Sequence, residues 1–281
     1  MSYAAPLSNP ALEQDAARRE RVAQRLRPSP FLAAPLAALG YDSRELWAWD
    51  TYKAAVLGYV DHCRAAGRHD GGLVRLLEIG GGRDPLLTPR EARTAGVAYT
   101  TNDISDRELA LGPAEFAKAR FDVAGEIEAS QRGGYDLVIS RMVMEHVRGA
   151  PRAWANIAAL LAPGGVALAF HPTLYAPPFV INWLVPEALT GPVLRLFFGD
   201  RNDGEQPKFP ARYELCTTNP AKVEPALRAA GFREALTVPF WGDRYFRHIP
   251  GVRSANDALS ALAEAQDWRW LTSYAYTTGR K

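Results

Sequence analysis

The feature that most constrains the fold is an apolar run that ends in three consecutive glycines, Leu76-Leu77-Glu78-Ile79-Gly80-Gly81-Gly82. An apolar run of this length is typical of a buried strand, and glycines directly after it let the backbone turn sharply and approach a ligand closely. Similar short apolar runs recur along the chain and alternate with segments of helical periodicity. This alternation predicts parallel strands joined by helices that cover the sheet.

The alternation also predicts the organisation of the chain. We predict seven strands, at residues 73–79, 97–102, 119–122, 135–140, 165–171, 234–241 and 269–277. Helices are predicted at 11–27, 45–66, 105–118, 125–132, 151–162, 220–230 and 255–265. One more is predicted to start at Thr88, because Thr88, Pro89 and Glu91 form an N-cap, a first-turn proline and a capping box. Residues 1–72 are then an N-terminal helical extension, and residues 73–281 form an α/β domain with a doubly wound sheet.

The first predicted helix is strongly basic. It carries five arginines, Arg18, Arg19, Arg21, Arg25 and Arg27. Pro28 and Pro30 are expected to end it. Two interpretations stay open, a solvated surface helix and a clamp for an acidic group of a substrate.

Residues 172–215 interrupt the alternation after the fifth predicted strand. Five prolines between residues 172 and 198, Pro172, Pro177, Pro178, Pro186 and Pro192, exclude a single long helix over that stretch. The same stretch carries the aromatic residues Tyr175, Phe179, Trp183, Phe197 and Phe198. We expect a lid or a wall of a substrate site, with plain packing or an oligomer interface as the alternative.

Three carboxylates fall at the ends of the first three predicted strands: Glu78, Asp103 and Asp122. Asp103 lies 21 residues after Gly82, close to the spacing of roughly 20 residues at which an acid accepts the hydroxyls of a ribose. Asp122 is a candidate acceptor for an adenine amino group. Each of these acids alone is more often a turn cap, but three at successive strand ends favour a nucleoside site.

Two other nucleotide sites are disfavoured by the residues that follow the glycines. A dinucleotide fingerprint that begins at Gly80 requires its third glycine at position 85, which is Pro85. The predicted helix start near Thr88 is also too far from the glycines to face a diphosphate. Because no Gly-Lys-Ser/Thr sequence follows, a phosphate-binding loop of a nucleotide hydrolase is improbable.

These motifs occur in the order found in class I S-adenosyl-L-methionine-dependent methyltransferases, which the chain resembles over residues 73–171. The first motif of that family, an acid followed by x-Gly-x-Gly-x-Gly, corresponds to Glu78, Gly80 and Gly82, with Asp84 at the third glycine. The acids after the second and third strands correspond to Asp103 and Asp122. Residues 135–147 resemble the fourth strand and its turn, and residues 160–170 resemble the Pro-Gly-Gly turn and the fifth strand.

The resemblance implies a Rossmann-like, seven-stranded sheet, parallel with one antiparallel strand and flanked by helices. It also implies S-adenosyl-L-methionine as cofactor and S-adenosyl-L-homocysteine as product. The cofactor-binding residues expected from it are Glu78, Gly80, Gly81, Gly82, Asp84, Asn102, Asp103, Ile104, Asp122, Val123, Ser140 and Arg141.

The activity that the resemblance implies is transfer of a methyl group to an O or N atom, or a C atom, of a small-molecule, natural-product, lipid-linked or sugar acceptor. His171, at the end of the fifth predicted strand, is the first candidate for a general base, and a hydrogen bond to a loop carbonyl is its alternative role. His146 is the second candidate, with Glu145 beside it as the group that orients it.

Five further aromatic or basic residues are candidates for the acceptor site. Arg212 could clamp an anionic group of the acceptor, and Tyr213 could line the pocket or shuttle a proton. A capped loop is the alternative interpretation for this segment, which begins at Lys208 and Phe209. Trp241, Tyr245 and His248 are candidates for the far wall of the site or for the core.

Composition limits the partners and the setting. Since 33 Lys and Arg nearly balance 31 Asp and Glu, nucleic acid is not expected as a partner, and we expect a partly apolar small molecule instead. The two cysteines, Cys63 and Cys216, cannot form a disulfide framework, and the residues predict no metal site. There is no apolar run of about 18 residues and no recognisable signal peptide, so we expect a cytoplasmic protein without a transmembrane segment.

Two functions of other classes remain as alternatives at this point. One is a catalytically silent relative that works as a binding or scaffold protein. The other is a nicotinamide-dependent oxidoreductase.

Overall fold

The computed structural model describes residues 10–174, 210–243 and 250–281. Seven strands form one sheet: β1 (Val74–Ile79), β2 (Val97–Asp103), β3 (Ala117–Arg120), β4 (Tyr135–Arg141), β5 (Leu161–Pro172), β6 (Glu234–Phe240) and β7 (Tyr274–Arg280). Their order across the sheet is β3-β2-β1-β4-β5-β7-β6. Strands β1 to β5 pair in parallel, whereas β7 is antiparallel to both β5 and β6. The predicted seven-stranded sheet with one antiparallel strand is confirmed.

Eight α-helices are described in these three ranges. They are α1 (Pro10–Gln24), α2 (Pro30–Ala38), α3 (Glu45–Ala65), α4 (Pro89–Thr94), α5 (Asp106–Leu111), α6 (Ala150–Leu160), α7 (Pro220–Ala229) and α8 (Pro250–Ala265). Short 3-10 turns occur at Ala129–Gln131, Met144–His146 and Arg269–Leu271. No described helix has both the length and the apolar character that crossing a membrane requires.

Helices α2 and α3 share one hydrophobic core with the sheet. Tyr52 and Tyr59 of α3 are completely or almost completely buried. The hydroxyl of Tyr52 donates to the backbone oxygen of Ser140, at 2.8 Å, and that of Tyr59 donates to the backbone oxygen of Leu32 in α2. The N-terminal extension is therefore anchored to the middle of the sheet by buried aromatic residues and their hydrogen bonds.

Helix α1 and the turn after it are attached to the C-terminal part of the chain by arginines. Arg18 lies 2.8 Å from Asp42 and 3.1 Å from Glu264. Arg25 is buried, pairs with Asp267 at 2.9 Å and lies over the ring of the buried Trp241 at 4.4 Å. These contacts assign a structural role to Arg18 and Arg25, and they place Trp241 in the core.

Several predicted boundaries were wrong for local reasons. Pro30 begins a helix instead of blocking one, because Ser29 caps α2 and proline is well suited to a first helical turn. The helix predicted at 105–118 ends at Leu111, where Gly112 and Pro113 follow. The helix predicted at 125–132 is only a 3-10 turn.

Three strands also differ from their predicted bounds. Strand β3 ends at Arg120, two residues before Asp122, and β5 begins at Leu161. The last strand covers 274–280, and part of its predicted range forms a 3-10 turn at Arg269–Leu271. The capping box at Thr88 and Glu91 is confirmed, at the start of α4.

Most of the predicted insertion at 172–215 lies outside the described residues. The aromatic and basic residues named above that fall in the undescribed part are Tyr175, Phe179, Trp183, Phe197, Phe198, Lys208 and Phe209. The same holds for Tyr245 and His248. Residues 172–174 and 210–215 are described.

Candidate functional site

The order of the strands places the reversal point of the sheet at the carboxyl ends of β1 and β4. Strand order reverses between these two neighbours, and ligands of doubly wound sheets bind at such a reversal. Ile79 pairs with Ser140, so the chain leaves both strands side by side. The glycines follow β1, and residues 142–146 follow β4.

The three glycines form a tight bend that touches the neighbouring loops. Gly80 and Gly82 adopt positive φ angles of 70° and 40°. A Cβ on Gly80 would lie 2.5 Å from Cγ2 of Val143, and a Cβ on Gly82 would lie 2.7 Å from Oδ2 of Asp103. Only glycine fits these positions, because a side chain would collide with the loop after β4 and with the acid of β2.

Glu78 supports this bend from inside the protein. Its side chain is buried, and Oε2 accepts hydrogen bonds from the backbone N–H of Leu86, at 2.9 Å, and from the hydroxyl of Tyr99. A Cβ on Gly81 would lie 2.8 Å from the same oxygen. Burial raises the pKa of Glu78. The carboxyl group therefore holds the loop from Gly81 to Leu86 in place.

Asp103 lies beside the bend with one oxygen available. Its Oδ1 accepts the backbone N–H of Ser105 at 2.9 Å, and its Oδ2 is the atom that faces Gly82. No other described residue forms a hydrogen bond with Oδ2. The next residue, Ile104, is 52% exposed. A free carboxylate oxygen beside an exposed apolar side chain suits a ligand with hydroxyl groups and a flat apolar ring.

The other predicted residues of this part of the site mainly organise the backbone. The side chain of Asn102 donates to the carbonyls of Ala119 and Phe121, at 2.9 and 3.0 Å, and so fixes β3 to β2. Asp122 is exposed and caps the turn through the backbone N–H of Ala124 at 2.9 Å. Val123 is buried.

On the other side of the bend, Arg141 lies close to Asp84. Its Nη2 is 3.2 Å from the backbone oxygen of Asp84 and 3.4 Å from Oδ2. The carboxylate of Asp84 is 90% exposed, so this ion pair is weak and open to a ligand. The hydroxyl of the neighbouring Ser140 is buried, and no described group forms a hydrogen bond with it.

His171 is buried at the end of β5, and both ring nitrogens are engaged. Nδ1 lies 3.0 Å from the carbonyl of Pro172 and must donate to it, so Nε2 accepts from the hydroxyl of Thr277 at 2.9 Å. Burial lowers the pKa of His171 to about 4. The ring is therefore neutral at pH 7. A general base needs a ring nitrogen that can accept a proton from the acceptor, and both nitrogens of His171 are already hydrogen-bonded within the protein.

The remaining predicted catalytic residues come together at the loop after β4. The backbone oxygen of Glu145 accepts the N–H groups of Arg212 and Tyr213, at 2.6 and 3.0 Å. His146 is partly exposed, and its Nδ1 lies 3.4 Å from the carbonyl of Pro210. Residues 210–216, which follow the insertion, are thus fixed to the loop that carries His146.

The burial of Glu145 is the feature of this loop that the sequence did not reveal. Its side chain is 4% exposed, and Oε2 has no hydrogen-bond partner among the described residues. Burial raises the pKa of this carboxyl to about 8. The sequence does show an acid among apolar residues directly after a strand. That pattern led only to the prediction that Glu145 orients His146. The described residues contain no group of three or more acids, histidines or cysteines that could hold a metal.

Comparison with known proteins points to one family. Residues 18–196, more than half of the chain, match a family model described as a methyltransferase domain. No curated protein sequence is significantly similar to this chain.

Solved structures share the fold at low sequence identity. The DszA carbon methyltransferase is 16% identical with a TM-score of 0.52, and 83% of this chain aligns with 53% of that one. The CMeT domain of the citrinin polyketide synthase is 14% identical with a TM-score of 0.50, over 81% of this chain and 52% of that one. A SAM-dependent methyltransferase from Archaeoglobus fulgidus is 14% identical with a TM-score of 0.47, over 84% of this chain and 100% of that one.

Proposed function

Because the chain belongs to the methyltransferase-domain family, we propose that it moves a methyl group from S-adenosyl-L-methionine to an O, N or C atom of a small, partly apolar acceptor. The observation that carries this proposal is the glycine bend packed against Asp103, whose Oδ2 forms no hydrogen bond with any described residue. Such a bend accommodates a nucleoside without phosphates. The helix that follows begins at Pro89, seven residues after Gly82, and so offers no N-terminus to a diphosphate.

The residues around the bend fit the parts of the cofactor. Asp103 would accept the ribose hydroxyls, and the exposed Ile104 would contact the adenine, with Asp122 and Val123 at its edge. The backbone of Gly80, Gly81 and Gly82 would run alongside the cofactor. Glu78, Asn102 and Ser140 would act indirectly, by holding these segments in place.

The weak pair of Arg141 and Asp84 matches the amino-acid end of the cofactor. That end carries both a carboxylate and an ammonium group. Arg141 would bind the carboxylate and Asp84 the ammonium, and each would exchange a long contact within the protein for a hydrogen bond to the ligand.

The cofactor supplies a sulfonium, which makes the methyl carbon electrophilic without help from the protein. The chain must then hold the acceptor in line with that carbon, at about 3 to 3.5 Å. We assign this task to the loop after β4 and to residues 210–216. Arg212 would bind an anionic group of the acceptor, and Tyr213 would line its pocket. His171 would position the end of β5 through its two hydrogen bonds.

Calorimetry with separate cofactors tests the proposed function. We expect the protein to bind S-adenosyl-L-methionine and S-adenosyl-L-homocysteine below millimolar concentration, and a fluorescence titration to detect no binding of NADH. Failure to bind either sulfur ligand would favour a scaffold protein. Binding of NADH in their place would indicate an oxidoreductase.

Replacing Arg141 by glutamine tests the assignment of the amino-acid end. We expect the affinity for S-adenosyl-L-homocysteine to fall about 5- to 20-fold, as for the loss of one exposed charge-assisted hydrogen bond. Arg152→Gln removes the same charge from an exposed position on α6 and should leave the affinity unchanged. The affinity for adenosine, which lacks this end, should be equal in wild type and Arg141→Gln, and a parallel loss for adenosine would contradict the assignment.

A further inference from the structure

The carboxyl group of Glu145 is buried without a full set of partners. Oε2 forms no hydrogen bond with any described residue, and Oε1 lies 3.7 Å from Nε2 of His146, beyond hydrogen-bond distance. Burying a carboxyl group in this way is costly, and a native structure retains such a group where it has a function. Strongly perturbed carboxyls of this kind concentrate at active sites.

The position of Glu145 connects it to the proposed cofactor site. It follows Val143 by two residues, and Val143 is the residue that contacts Gly80. On its other side, its backbone oxygen binds Arg212 and Tyr213. Glu145 therefore lies between the glycine bend and the segment assigned to the acceptor.

The backbone around Glu145 is strained. Met142, Tyr213 and Leu215 have φ angles of 57°, 54° and 57°, and they are three of the four non-glycine residues with positive φ among those described. Such conformations persist only where the surroundings fix them, and they cluster at functional sites. Both segments that meet at Glu145 are thus held in unfavourable conformations.

We infer that Glu145 is the proton acceptor of the methyl transfer, and that the methylated atom is the oxygen of a hydroxyl or an activated carbon. This inference rests on the proposed function. An amine attacks through its free lone pair and can lose its proton afterwards to water. A hydroxyl or a C–H group needs a base during the attack, and Oε2 of Glu145 is a free acceptor for that proton.

The atoms and charges of this step balance. The acceptor atom forms its bond to the methyl carbon while the carbon–sulfur bond breaks, and the electron pair of the broken bond stays on sulfur. The proton of the acceptor moves to Oε2 of Glu145. The products are the methylated acceptor, the thioether and a neutral Glu145, which returns the proton to solvent before the next cycle.

The inference has an electrostatic consequence that needs no acceptor. A positive sulfonium near Glu145 stabilises the ionised carboxylate, whereas the thioether of S-adenosyl-L-homocysteine carries no such charge. Because coupling between two binding events is reciprocal, ionised Glu145 must favour the sulfonium ligand over the thioether. Among the described residues, the titratable groups near Glu145 are His146 from its own loop and Cys216 from the segment after the insertion, and Glu214 lies close to Cys216.

The experiment is calorimetry with each ligand from about pH 6 to about pH 9, a range that brackets the titration of a buried carboxyl. In the wild type, we expect the preference for S-adenosyl-L-methionine over S-adenosyl-L-homocysteine to rise about 5- to 30-fold with pH, the size of a charge pair at intermediate distance in a protein. In Glu145→Gln the preference should be independent of pH. The exposed Glu128→Gln variant serves as the matched control.

Each other outcome has a defined meaning. A preference that is independent of pH in the wild type overturns the inference, as does a dependence that survives in Glu145→Gln and disappears in His146→Gln. Failure of both ligands to bind overturns the proposed function itself, which is a separate result. A thermal melt of Glu145→Gln establishes that the variant is folded.

The acceptor class is tested with radiolabelled cofactor and a panel of phenols, 1,3-dicarbonyl compounds and primary amines. We expect the wild type to methylate a phenol or a dicarbonyl compound, and Glu145→Gln to do so at least about 100-fold more slowly, the usual range for a lost general base. Equal rates in the two proteins, transfer to amines alone, or no transfer to any member contradicts the inference.

Discussion

Replacing Asp103 by alanine is expected to weaken the binding of S-adenosyl-L-methionine by about 10- to 150-fold, the range for hydrogen bonds to a charged group. Oδ2 of this acid faces the glycine bend and has no hydrogen-bond partner in the part of the chain that the structure describes, so its bonds would go to the ligand. Calorimetry measures the effect directly. An unchanged affinity in Asp103→Ala would contradict the ribose role.

Two further variants separate this effect from a disturbance of the loop. Asp103→Asn can keep the hydrogen bond from the N–H of Ser105 to Oδ1 while it removes the negative charge, and we expect it to lose most of the affinity as well. Asp106→Ala removes a charge three residues further along, where the carboxylate is exposed and only pairs with Arg120 at 3.3 Å. It should bind the cofactor like the wild type.

The arrangement of the sheet was predictable because its signals are local. Short apolar runs marked the strands, and the sequence of Thr88, Pro89 and Glu91 marked the start of α4. The errors arose where one residue type can either begin or end a helix, depending on its neighbours. Pro30 starts α2 because Ser29 precedes it as a cap, and the predicted helix that contains Gly112 and Pro113 ends before them.

The roles of individual polar side chains were less predictable, because burial depends on residues distant in the sequence. His171 looked like a base at a strand end, yet Thr277 on β7 occupies its Nε2. Glu78 looked like a ligand of the cofactor, yet Tyr99 and Leu86 bind its carboxylate inside the protein. Asp103 has no such distant partner among residues 10–174, 210–243 and 250–281, so its carboxylate stays available for the proposed ribose role.

The same argument explains why the burial of Glu145 was not predicted. Its burial comes from two segments that meet only in three dimensions, the loop after β4 and residues 210–216. Burial also raises the pKa of Cys216, and the negative charges of Glu145 and Glu214 add to that effect. Burial therefore disfavours the charged form of both groups. A cationic ligand is the natural complement of such a site.

Glu145→Gln is expected to stabilise the unliganded protein increasingly as pH rises. The folded pKa of about 8 lies above the ordinary value of 4.5. Between these values the folded protein retains a proton that the unfolded chain has lost, so wild-type stability decreases with rising pH across this window, whereas glutamine does not titrate. The free energies of unfolding of the two proteins should diverge by about 3 to 5 kcal/mol between pH 4.5 and pH 8.

Thermal melts of both proteins without ligand, over this pH window, measure the divergence as a difference in melting temperature of roughly 5 to 15 °C. Glu128→Gln should show no growing difference from the wild type, because its carboxylate is exposed. A constant difference for Glu145→Gln would mean that Glu145 ionises normally. If the divergence is found and then shrinks when S-adenosyl-L-methionine is added, but persists with S-adenosyl-L-homocysteine, the charge that compensates Glu145 is the sulfonium.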